Sequence, residues 1–238
     1  APLTLERPKV LCPVGGRPLL GWALGRLVGV VDEVIVNVHH HAPLVLRWLG
    51  HVANTGLHCA PPTVEFWRAG GDDSPMGSTA PRLIEVGQLG TAAGGAAALL
   101  ASVEGPEALG TAGALAALAG RLDGRAVLAV NADSLIAADL SAVVNAWDGE
   151  RALVAHGGAD GFRPGVSIVA SITPFDVVKR LPVTPAGLFG HLWRPAAAAG
   201  ELQTVQVSDP VADCGTPQSY LAANLYLAGG QSSLEPVG

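Results

Sequence analysis

The chain has 238 residues, 49% of them hydrophobic and 14% charged, with a formal net charge of -6. That is apolar matter enough for one large α/β domain or two small ones, and it excludes a disordered chain. No Lys/Arg cluster marks a nucleic-acid face, and no run of 18 apolar residues free of breakers marks a membrane span.

In chain order, Arg17–Val28 sets Leu20, Ala23, Leu24 and Leu27 on one helical face. Glu33–Val38, EVIVNV, is a β-branched run that reads as a buried strand, and Arg125–Val130, RAVLAV, reads the same way. Asp139–Trp147 has helical spacing, while Arg151–Ala155 and Gly165–Ile172 read as strands. TPFDVVKRL reads as a helix opened by Thr173 with Pro174 in first position. Leu202–Val207 alternates as a half-buried strand does, and Thr216–Leu227 reads as a helix with Pro217 first and Gly229-Gly230 as its stop. Strands alternating with helices predict an α/β fold, a three-layer α/β/α arrangement around a mainly parallel central sheet. Ligands of such sheets bind beyond the carboxyl ends of the strands. Ala53–Val103 breaks the rhythm and has no clear period. Leu-Gly-Thr-Ala occurs in it at Leu89–Ala92 and once more beyond it, at Leu109–Ala112. An irregular insert or long loop is expected over 53–103, inside a domain spanning 1–228, with 229–238 as a tail.

Residues able to do chemistry stand at strand ends. VLAVNADSL puts Asp133 just past one predicted strand, and DPVADCGTPQSY puts Asp213 just past another. Two carboxylates above one sheet make a clamp for Mg2+, which keeps its waters and takes one or two carboxylates plus substrate phosphates. The competing reading is that each Asp is a turn former or a helix cap. In EALGTAGAL, Glu107–Leu115, the small residues Gly110, Thr111 and Gly113 either let a ligand approach backbone N–H groups or make a tight turn before a core helix. Lys9 lies in a Pro-framed apolar segment and is either a solvated lysine or one aimed at phosphate. His39, His40 and His41 follow a strand, where neighbours alternate faces, so a polar loop is expected there rather than a metal cluster. Cys12, Cys59 and Cys214 form no CxxC, and an odd count speaks against a disulfide framework. Cys12 and Cys214 are expected as small buried hydrophobes in a reducing, cytoplasmic setting.

Taken in order, these segments resemble the sugar-1-phosphate nucleotidyltransferase family. RPKVLCPVGGRPLLGWAL is similar to the phrase that follows the family's glycine-rich loop, and VDEVIVNVHHHAPLVLRWL to its second strand and helix. EALGTAGALAAL is similar to its nucleotide-contacting turn. VLAVNADSL resembles the strand ending in a metal-binding aspartate, and VADCGTPQSYLAANL the second metal aspartate and closing helix. The resemblance covers roughly 1–52 and 104–228, and its flavour is that of short mannose-1-phosphate guanylyltransferases and N-acetylmuramate-1-phosphate uridylyltransferases. It implies transfer of a nucleoside monophosphate from a nucleoside triphosphate to a sugar 1-phosphate, with loss of pyrophosphate and with Mg2+ as cofactor. It implies Lys9, Asp133 and Asp213 as catalytic residues, the two aspartates as metal ligands, and Gly110, Thr111, Gly113 and Asn131 as nucleotide-binding residues. The implied partners are the nucleoside triphosphate and the sugar 1-phosphate, with no nucleic acid or membrane, and a homodimer is allowed. In the family a strand and a G-x-G-T-R-type loop precede LTLERPK, whereas this chain starts at Ala1. A fold incomplete at its N-terminus, with little or no turnover by residues 1–238 alone, is therefore expected. The alternative is a non-catalytic nucleotide-sugar-binding relative acting as a regulatory or partner subunit.

Overall fold

The computed structural model describes residues 7–57, 81–90, 95–158, 161–208 and 211–229. A 3-10 turn at Lys9–Leu11 leads into a short hairpin, β1 (Pro13–Val14) and β2 (Arg17–Pro18), and then helix α1 (Leu19–Leu27). Next come β3 (Glu33–Val38), α2 (Ala42–Thr55), β4 (Arg82–Gly90) and β5 (Ala96–Val103). Helices α3 (Gly110–Ala117) and α4 (Ala119–Leu122) precede β6 (Val127–Val130), β7 (Ser134–Ile136), α5 (Leu140–Asn145), β8 (Ala152–His156) and β9 (Ile168–Thr173). The chain closes with α6 (Phe175–Val178), a π-helical turn at Phe189–Trp193 running into α7 (Arg194–Ala199), β10 (Leu202–Gln206), β11 (Val211–Asp213) and α8 (Pro217–Leu227). Among these residues no helix is long and apolar enough to cross a membrane.

The chain divides into two compact units. The first comprises Ala1–Gly105, Ala132–Ala137 and Pro210–Gly238. Its sheet has the order β3-β5-β4, with β3 and β5 parallel in the register Glu33↔Ala98 to Val38↔Val103. Val34, Val36 and Val38 alternate onto the face covered by Trp48, Leu49 and Val52 of α2, and Leu99 and Ala101 of β5 complete that core. Only one face of β3 is fully buried, so the β-branched run belongs to a one-sided strand. A second core in this unit joins Val14 and Leu19 to Leu135, Ala212, Cys214 and Ala223. It lies around the antiparallel pair β7–β11 and the β1–β2 hairpin.

The second unit comprises Pro106–Asn131 and Ala138–Asp209. Its sheet has the order β10-β8-β9-β6, and every residue of β8 is buried. Ala112, Leu115 and Ala116 of α3 pack with Leu122, Val178, Leu181 and Leu188.

The α/β class holds, but strand pairing is mixed rather than mainly parallel. β3–β5 and β8–β10 are parallel, whereas β4–β5, β8–β9, β6–β9 and β7–β11 are antiparallel. For β4–β5 connection length decides this, because a parallel return needs a crossover of about a dozen residues or more, usually a helix. Residues 91–95 are too few for one, and Gly157 N–H donates to Ser167 O at 3.0 Å, which carries the β8–β9 ladder one step further as a hairpin. The described part of the expected insert is likewise ordered structure, since 82–90 and 96–103 are strands. Residues 58–80 and 91–94, Cys59 and the tail from 230 lie outside the described residues. Thr173 ends β9, fully buried, and the helix cap is Pro174 in extended geometry.

Two stability predictions follow from these cores. Trp48 is 1% exposed, so Trp48→Ala should lower the free energy of unfolding by about 3–5 kcal/mol in urea titration. In the second unit, the Asp148 carboxylate accepts from Glu150 N–H and Arg151 N–H at 2.9 Å each and from Arg151 Nε at 2.7 Å. Those donors, the backbone pair first, hold its pKa down at about 2. The folded value lies below the ordinary one of about 3.9, so the stabilisation is present above that pH and is lost as pH falls toward 2. Asp148→Asn should therefore destabilise the protein at pH 6 and progressively less as the pH drops from about 4 toward 2, read as urea midpoints of both proteins across that range.

Candidate active site

Asp133 directly precedes β7, and Asp213 is the last residue of β11. The antiparallel register sets Asp213 opposite Ser134, and Cys214 N–H donates to Asp133 O at 3.2 Å. Both aspartates thus leave the same end of one two-stranded ladder. Lys9, on the 3-10 turn, meets them there: its Nζ donates to Asp133 Oδ2 at 2.8 Å and lies 3.6 Å from Asp213 Oδ1. The two carboxylates therefore share one ammonium. Local chemistry keeps Asp213 in place. A Cβ at Gly215 would stand 3.0 Å from Asp213 Oδ1, so glycine leaves that carboxylate its room. Thr216 then opens α8 with a capping box: its hydroxyl accepts Ser219 N–H at 3.1 Å, and Ser219 Oγ accepts Thr216 N–H at 3.2 Å.

The side chains of Lys9, Asp133 and Asp213 are 25%, 41% and 71% exposed. Ion pairs so wetted stabilise a fold by about 0–1 kcal/mol each, so folding alone gives little reason to assemble this trio. Two hard carboxylate oxygen donors facing a shared cation suit Mg2+, which completes its shell with water and phosphate oxygens. No group of three or more His, Cys, Asp or Glu side chains able to hold a metal exists among the described residues, and the three consecutive histidines form no such site. His39 instead sits with its Nδ1 3.2 Å from Glu104 O, at the end of the parallel pair β3–β5. Cys12 and Cys214 are buried, and burial pushes both thiols up, Cys214 to about 11. They pack as neutral thiols.

Comparison with known proteins gives the family and the fold. The chain is 30% identical over 246 residues to the N-acetylmuramate alpha-1-phosphate uridylyltransferase of Caulobacter vibrioides, a match that takes in 95% of this chain and 91% of the relative. The chain belongs to the sugar-1-phosphate nucleotidyltransferase family. Solved structures of the same fold include a Bacillus anthracis protein described as a glucose-1-phosphate thymidylyltransferase, in complex with a sucrose. It has a TM-score of 0.62 and 16% identity, over 100% of this chain and 91% of that one. HddC from Yersinia pseudotuberculosis complexed with GMP-PN has a TM-score of 0.58 and 14% identity, over 92% of this chain and 89% of that one. No protein-family model matches the chain.

In this member of the family, the residues expected at the nucleotide belong to the second unit. Thr111 and Asn131 are exposed, the first in the opening turn of α3 and the second just after β6. The helix begins at Gly110, so Gly113 lies one turn inside it rather than at its start. Both glycines face the protein's own backbone. Gly110 has a φ of +65°, and a Cβ there would stand 2.6 Å from Ala186 O; a Cβ at Gly113 would stand 2.4 Å from Thr184 O. Ala112 N–H already donates to Ala186 O at 2.9 Å, and Ala186 N–H to Leu109 O at 2.8 Å. Close approach of the 184–186 segment is thus reason enough for small residues here. No motif marks Tyr220 and Asn224 of α8, although their i, i+4 spacing sets both on one side of the helix that follows Asp213. Gly113→Ala should destabilise the protein by about 1–3 kcal/mol through overpacking against Thr184, measured by urea unfolding. An unchanged midpoint would mean that the glycine serves a ligand alone.

Proposed function

We propose that the protein transfers a nucleoside monophosphate from a nucleoside triphosphate to a sugar 1-phosphate. The observation that carries this is the convergence of Lys9, Asp133 and Asp213 at the end of the β7–β11 ladder, in a chain related along most of its length to a uridylyltransferase. A phosphate oxygen of the sugar phosphate attacks the α-phosphorus, the bond to the β-phosphate oxygen breaks, and pyrophosphate leaves with the electron pair. Such in-line displacement depends on positioning and on stabilising charge that develops on the phosphoryl oxygens. The Lys9 ammonium meets that charge as a compact cation. Asp133 and Asp213 would hold Mg2+, which when bound neutralises phosphate charge between the substrates. In the second unit the exposed Thr111 and Asn131 would be the residues that contact the nucleotide, whereas Gly113 is buried against Thr184. The reaction belongs in the cytoplasm, where nucleoside triphosphates are abundant and the thiols stay reduced.

The test is pyrophosphate release by the full-length protein, first with UTP and N-acetylmuramate 1-phosphate, then with GTP or dTTP and other sugar 1-phosphates. Turnover should need Mg2+ and stop with EDTA. Asp133→Asn and Asp213→Asn should each lower kcat by at least about 10²- to 10³-fold, with unfolding free energy changed by no more than about 1 kcal/mol. Full activity in either variant would remove the aspartates from the mechanism.

A further inference from the structure

Lys9 is linked to its partners by contacts that the reaction itself does not use. The β1–β2 hairpin begins at Pro13, one turn beyond Lys9, and α8 begins at Pro217, one turn beyond Asp213. Helix α8 grips the hairpin at three points. Tyr220 Oη donates to Pro13 O. Gly15 N–H donates to Asn224 Oδ1 at 3.2 Å. The Leu227 side chain lies against Gly15, where a Cβ would come within 2.7 Å of Leu227 Cδ1. Residues three and four apart share a helix face, so the three contacts form one stripe. The Asn224 amide has one workable orientation: Nδ2 donates to Tyr220 O at 3.0 Å, which leaves Oδ1 for the Gly15 donor. Burial pushes the Tyr220 phenol above its ordinary value, so it remains a donor across neutral pH. On the hairpin's other side, Trp22 Nε1 donates to Val14 O at 2.9 Å.

We propose that Tyr220 and Asn224 are positioning residues, which hold the hairpin and through it hold Lys9 against Asp133 and Asp213. The inference rests on the reading of those three residues as the reacting site. The aspartates have the ladder to set them. Lys9 stands on a 3-10 turn, closed by Leu11 N–H to Pro8 O at 3.0 Å and Cys12 N–H to Lys9 O at 2.9 Å, which buried Leu11 seats on the core and Leu19 N–H ties at Cys12 O at 3.1 Å, just before the hairpin that α8 holds. An ion pair this exposed is too weak to fix the segment alone. The clamp from α8 also couples the two sides of the site, because one helix both follows Asp213 and holds the hairpin after Lys9.

The chain has two lysines, Lys9 and Lys179. Competitive acetylation of the full-length protein, read by mass spectrometry, therefore reports on Lys9 with Lys179 as reference. Lys179 is paired with Asp176 at 2.7 Å in the second unit, so both lysines start in ion pairs. Tyr220→Phe keeps the packed ring and removes one donor; Asn224→Ala removes the other contact. Each should raise the Lys9:Lys179 labelling ratio several-fold and lower kcat by up to about 10²-fold, the usual effect of a misplacement of about 1 Å, with KM for the sugar phosphate unchanged. An unchanged ratio in both variants overturns the clamp whatever activity does. A raised ratio with unchanged kcat overturns the positioning role. Absence of turnover in the wild-type protein overturns the proposed reaction and the positioning role with it, whereas the labelling ratio still decides the clamp.

Discussion

Two carboxylates brought to one point repel each other, and Asp133 and Asp213 are held together against that repulsion by backbone. The β7–β11 ladder pairs Asp213 with Ser134 and ties Cys214 N–H to Asp133 O, so the backbone that carries both aspartates cannot move apart without breaking main-chain hydrogen bonds. The core beneath the ladder, with Leu135, Ala212 and Cys214 each nearly sealed from water, makes that breakage costly. Lys9 then relieves the repulsion from above. The arrangement puts rigidity in the backbone and leaves the charges wet. The proposed reaction, in which the carboxylates would exchange their cationic partner for phosphates and ions, would need that division of labour, because buried charges held by one another would resist the exchange.

How much of this was legible in the sequence can be traced residue by residue. Glu33–Val38 is the strand its β-branched composition announces, and Asp133 and Asp213 do stand at strand ends. The Thr216-Pro217 helix start appears with its full capping box. What failed has physical causes. β5 reads AAALLASV, a run of the best helix formers, and becomes a strand because its neighbours β3 and β4 offer a buried ladder on both edges. β4 alternates too weakly to announce itself, since most of its residues are exposed or half-buried and Leu89 alone is sealed. The pairing of β7 with β11 joins segments far apart in sequence, so no local pattern could disclose it. That pairing nonetheless brings the two aspartates to one ammonium.

The glycines carry a related lesson about small residues. In a ligand-binding turn, glycine signals close approach of backbone to something, but the sequence does not say to what. At Gly110 and Gly113 the partner is the chain's own 184–186 segment, whose carbonyls would clash with any side chain. Ala186 also takes the Ala112 N–H, one of the orphan donors at the start of α3 that a bound anion could otherwise use. On the proposed reading, a nucleotide at this turn would contact the exposed Thr111 and the backbone groups that Ala186 leaves open. The same reasoning applies at Gly15, where the close neighbour is Leu227 of α8.

The choice of lysine at position 9 bears on function in its own right. The chain carries 14 Lys and Arg together, and only two of them are Lys. Arginine would offer a planar fork matched to a carboxylate and would stay committed to one partner in a bidentate pair. Lysine presents a compact charge with three rotatable donors, which can divide itself between Asp133 and Asp213 and turn toward a phosphate without losing a fixed geometry. Stability gives no reason for that choice, since pairs as exposed as these contribute little to folding. A residue type scarce in the chain, set where two strand-end carboxylates converge and clamped there by the helix that follows one of them, is best explained by a charge that must move within a defined range while its base stays still.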